Sequence, residues 1–154
     1  MTDLQTAASV KVSANVFLAN KISCIKVVSE VYEVAYVGFT LLVGVFGYDS
    51  RIGRQCLNAS LGFCGGCLPK DICTFMACAG KLRANQVWAF LCEVDSVDMW
   101  YCTLMVKLIS TAYAGDQLET KVAVFDSASQ PGCDHMTDLS ALNVSVGCSS
   151  TVVR

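Results

Sequence analysis

Cys64-Gly65-Gly66-Cys67 is the motif whose residue types and spacing come nearest to chemistry in this chain. Two cysteines separated by two residues can make and break a disulfide, and a helix beginning just beyond them favours the thiolate that exchange requires. Pro69 suits the first turn of a helix, so the pair stands where a redox pair would. Thioredoxin-like chemistry uses a βαβ setting, and no such pattern surrounds the motif. A small membrane thiol oxidoreductase built of helices does without that setting. Cys64 and Cys67 would be its active pair.

The cluster extends to Cys73 and Cys78. Structural zinc uses two tight pairs separated by a longer loop, and a helix over 70–79 would hold Cys73 and Cys78 about 140° apart. Neither common ferredoxin spacing is present. No metal site is therefore expected. The chain has ten cysteines, the others being Cys24, Cys56, Cys92, Cys102, Cys133 and Cys148. Most lie in apolar segments, where a free thiol packs as a small hydrophobe.

The remaining chemistry is sparse. His135 is the single histidine, which excludes a histidine-based triad or multi-histidine metal site within one chain. Glu93, Asp95 and Asp98 read as charges at the start of a helix, favourable to its positive end. Lys107 stands in an apolar stretch and would have to pair, with Glu30 or Glu33 for example, or reach for water. There is no glycine-rich phosphate loop and no nucleophile elbow. No cofactor can be named.

These residues need elements to hold them, and composition sets the terms. Apolar residues make up 54% of the 154 and charged residues 16%, against about 25% charged in an ordinary soluble domain. A small protein has much surface to cover, so the missing charge implies cover by lipid or by partner subunits. The net charge of −2 and the lack of a basic cluster exclude nucleic acid as a partner.

From Ala14 to Tyr32 the apolar residues recur with a helical period. Ser23, Lys26, Ser29, Glu30 and Glu33 share one arc, which predicts an amphipathic helix with its polar side in water. No breaker separates it from the uncharged run Val34–Tyr48, and one helix over 14–48 is expected in preference to a pair of strands. About twenty apolar residues cross a bilayer, so this run stands at the edge of a membrane span. Gly38, Gly44 and Gly47 would let a neighbouring backbone approach, making them partner-packing positions together with Lys107. A short helix is predicted over Pro69–Ala79, stopped by Gly80, and a long one over about 96–114, with 99–115 a second candidate span. Lys121–Asp126 and Leu142–Val153 read as short strands or extended tail.

The expected fold is mainly α: a small, cysteine-rich, membrane-associated single domain with two long helices, one short helix and a short extended or β C-terminal tail. Residues 1–115 form the apolar helical part and 116–154 the polar tail. The implied function is a non-catalytic structural or assembly subunit, held in or against an intracellular or organellar membrane within a multi-subunit complex. Its partners would be other protein subunits and membrane lipid. Besides the thiol oxidoreductase, a coat-type protein that self-assembles through Val-rich strands is the other alternative.

Overall fold

The structure is a computed structural model that describes residues 3–57, 61–63, 66–112, 123 and 140–152. Among these residues lie five α-helices and no strand: α1 Leu4–Val34, α2 Phe39–Phe46, α3 Cys67–Lys81, α4 Asn85–Ala112 and α5 Ser140–Val152. The mainly helical expectation holds. The β tail does not, because Ser140–Val152 is helical. Lys121–Asp126 lies outside the described residues apart from Ala123, which is in no strand.

Asp3 starts α1, its Oδ1 accepting the Thr6 N–H at 2.6 Å. An aspartate in this position satisfies one of the free donors of a first turn. The helix therefore begins well ahead of Ala14, where the apolar period starts. It also ends earlier than expected. Val37 N–H bonds the Tyr32 carbonyl and Tyr36 N–H the Glu33 carbonyl, with Tyr36 left-handed at φ 54°. This paired closure ends a helix as firmly as a proline, although glycine is its usual residue. The expected continuous helix over 14–48 is thus two helices. The second, α2, is eight residues long, about 12 Å against a hydrocarbon core of about 30 Å.

Two further ends differ from expectation. Helix α3 runs past Gly80 and closes the same way at Arg83, which has φ 56°, with Ala84 N–H on the Ala79 carbonyl. Pro69 sits in its first turn, where no intrahelical N–H is lost. Helix α4 begins at Asn85, so Glu93, Asp95 and Asp98 lie within it and not at its start. Among the described residues no helix is long and apolar enough to cross a membrane, which overturns both candidate spans.

The chain divides into two compact units, one of residues 1–60 and 71–97, the other of 61–70 and 98–154. The first unit has a core of Ala19, Ile22, Ile25, Leu57, Ile72, Ala79, Leu91 and Val94. On α1 the arc expected to face water is divided: Ser23, Lys26 and Ser29 face this interior, while Glu30 and Glu33 are exposed as expected. Ser23 and Ser29 are buried and Lys26 is 0% exposed, while Phe17, Val27, Val31 and Val34 are exposed. Hydrogen bonds make this tenable: Ser23 Oγ donates to the Val94 carbonyl at 3.1 Å, and Ser29 Oγ to the Lys26 carbonyl at 2.6 Å. Polar groups can be buried when they are bonded, and among the described residues no buried side-chain polar atom lacks a partner. In the second unit Phe63, Cys102 and Val144 are buried, and Gly147 of α5 lies against Val106 of α4.

Candidate functional site

In the first unit a side-chain hydrogen bond ties α1 to α3. Asn15 Nδ2 donates to Asp71 Oδ2 at 2.5 Å, across 56 positions of sequence, and both side chains are half-buried. A short bond from an amide to a carboxylate fixes both groups and leaves the carboxylate's other oxygen to act. Lys11 stands one helical turn before Asn15 on α1, exposed. Residues four apart share a helix face, so Lys11 and Asn15 rise from one side of α1.

Cys67 is the first residue of α3, four before Asp71 on the same helix, and its thiol is free and exposed. It belongs to the second unit and Asp71 to the first. Cys64 lies outside the described residues, as do His135 and Cys133. Cys73 and Cys78 are exposed free thiols on α3. Among the described residues no three of His, Cys, Asp and Glu come together as a metal-ion set.

The four expected packing positions are placed as follows. A side chain at Gly38 or Gly44 would meet open space, whereas one at Gly47 would meet Arg54 of this same chain. Lys107 is exposed on α4, where a lysine is solvated and needs no buried counter-ion. Among the described residues the buried lysine is Lys26.

A second arrangement in the first unit holds the segment Asp49–Arg54. Asp49 Oδ1 accepts the Arg51 backbone N–H at 2.9 Å, and Asp49 takes the Arg51 guanidinium on both oxygens, the shortest contact being 2.6 Å. Ile52 and Gly53 N–H groups both bond the Asp49 carbonyl. Lys21 of α1 then donates to the carbonyls of Ile52 at 2.7 Å and Gly53 at 3.2 Å. Arg54 lies over the Tyr48 ring, 4.5 Å from its centroid. The result is a short exposed loop of fixed shape, presenting Arg51.

Asn15 and Asp71 were not legible as a pair from sequence, and the only available hint was the repeat of a four-residue step, Lys11–Asn15 and Cys67–Asp71. Residues 5–98, which contain all four, match the UDP-glucose/GDP-mannose dehydrogenase family, central domain. The chain belongs to that family. It is 30% identical over 134 residues to a UDP-glucose 6-dehydrogenase of Caenorhabditis elegans, covering 87% of this chain and 28% of the relative. UDP-glucose 6-dehydrogenase 4 of Arabidopsis thaliana is 30% identical over 149 residues, covering 95% and 30%. The Bacillus subtilis enzyme TuaD is 43% identical over 70 residues, covering 46% and 15%. The chain thus spans under a third of the length of these relatives. Membership of a dehydrogenase family corrects the non-catalytic membrane subunit, the thiol oxidoreductase and the coat-type protein alike.

Proposed function

We propose that this segment of the dehydrogenase family serves oxidation at carbon 6 of a UDP-hexose such as UDP-glucose. The reading is carried by the Asn15–Asp71 bond, which lies inside the matched region and fixes a carboxylate beside an exposed face of α1. Oxidising a primary alcohol sends a hydride to an acceptor and the hydroxyl proton to a base. Asp71, held by Asn15, is the proposed base. Lys11 supplies a positive charge for a developing alkoxide. Cys67, retained from the sequence as a site residue and belonging to the other unit, is proposed in its own right as a nucleophile toward a carbonyl carbon.

The remainder of the machinery, including the hydride acceptor's site, would come from sequence of the kind that makes up the rest of the longer relatives. Partner subunits are proposed too. No residue of α2 is buried, and Val27, Val31 and Val34 of α1 are exposed beside it in sequence, an apolar surface of the kind that other protein covers.

The test is a chimera in which residues 5–98 replace the matching segment of the Bacillus relative, assayed with UDP-glucose and a nicotinamide acceptor. Turnover that Asp71→Asn or Cys67→Ala lowers by at least a hundredfold supports the reading. A folded chimera whose turnover is indifferent to both substitutions ends it.

A further inference from the structure

The first unit contains a cavity of about 360 Å³ between α1, α2 and the segment after them. Phe17, Ile25, Val28, Phe46, Ile52 and Leu57 supply its apolar walls, Asn20 adds an amide, and its charged lining residues among those described are Lys21 and Arg51. No acidic residue lines it among the described residues. The two cations differ in one respect. Arg51 is already neutralised by Asp49. Lys21 spends two of its donors on the carbonyls of Ile52 and Gly53 and meets no carboxylate among the described residues. An ammonium has three N–H donors, so one donor and the full charge remain.

Lys21, the lining cation without a carboxylate partner among the described residues, stands at the edge of a mostly apolar hollow and complements a single anion on an apolar body. The volume stands at the low end of the range for small-molecule pockets, about 300–1,000 Å³, which suits a chain of about ten carbons. We propose that this cavity binds a medium-chain fatty acid, its carboxylate on the free N–H of Lys21 and its alkyl chain along Phe17, Val28 and Phe46. A carboxylate on an ammonium forms a charge-assisted bond, stronger than any bond an alcohol could make there. The site shares no residue with Asn15, Asp71, Lys11 or Cys67, so it stands or falls separately from the dehydrogenase reading.

Titration calorimetry of the 154-residue chain with decanoate and with decanol, both below their aggregation limits, tests the proposal. One decanoate should bind per chain, at least tenfold tighter than decanol. Lys21→Gln keeps an amide for the loop carbonyls but removes the charge, and should abolish the preference for the acid. Cys24→Trp, at another lining position, fills the hollow and should weaken both ligands; Val28→Trp does the same from the next turn should the first variant fail to fold. Equal affinity for acid and alcohol in the unaltered chain, binding of several decanoates per chain, or a self-associated chain that binds none would each overturn the proposal.

Discussion

Asn15 on α1 and Asp71 on α3 are joined at 2.5 Å by a single amide-to-carboxylate bond. Both are half-buried, so water cannot fully replace the donor if it is removed. Asn15→Ala should lower stability by about 1–2 kcal/mol, the range for a hydrogen bond to a charged group. Urea denaturation followed by circular dichroism measures it. A midpoint unchanged from the parent chain would mean that the bond adds nothing in solution.

Tyr36 and Arg83 each close a helix in the left-handed region, at φ 54° and 56°. A side chain there costs about 1 kcal/mol relative to glycine, part of which glycine returns as entropy lost on folding. Tyr36 is 98% exposed, so its ring has little packing to lose. Tyr36→Gly should therefore stabilise by about 0.5 kcal/mol, and Arg83→Gly by a similar amount. Both would raise the melting temperature slightly and additively. A drop for either variant would show that the side chain itself holds the turn.

Gly47 and Gly147 are glycines for lack of room. A Cβ at Gly47 would lie 2.5 Å from Arg54 Cγ, and one at Gly147 would lie 2.7 Å from Val106 Cγ2. Arg54 can swing away, at the cost of its place over Tyr48, about 0.5–1 kcal/mol for an exposed cation–π contact. Val106 is β-branched and stiff on its helix, so Gly147→Ala should cost more, about 1–3 kcal/mol. The order of the two midpoints in thermal denaturation checks the argument.

The Arg51 guanidinium and backbone N–H hold the Asp49 carboxyl below its ordinary 3.8. Because the folded value lies below the unfolded one, the stabilisation is fully present above 3.8 and is lost as pH falls through the folded value. The pair is exposed, which keeps its effect on stability small. A carbon-detected titration should place the Asp49 midpoint under 3.8, and Arg51→Ala should bring it back up. An Asp49 midpoint that Arg51→Ala leaves where it was would exclude the guanidinium as the cause.

Helix content was legible because apolar period and the proline near the start of α3 are local signals. The break after Val34 was not, since a tyrosine in a left-handed closure carries no sign of its conformation in its type. Nor was the orientation of α1. Ser23, Lys26 and Ser29 look like a wet face, and only the bond from Ser23 to Val94, far along the chain, shows why that arc can be interior. The site posed the same difficulty. Asn15 and Asp71 become a pair only when α1 and α3 are brought together, whereas Cys67 stood out through its neighbours in sequence. The membrane reading failed at the same point, because it treated Val34–Tyr48 as one length of helix.

The buried polar side chains of α1, Ser23, Lys26 and Ser29, also change what a conservative substitution means in this chain. Ser23→Val would look harmless by hydropathy, yet it removes the hydrogen bond that ties α1 to the Val94 carbonyl of α4. Val31→Ser, which looks severe, touches a side chain that the chain leaves exposed. At these positions a mutational scan of α1 would read polarity backwards, and any outward position that nonetheless refused a polar residue would mark where another molecule rests.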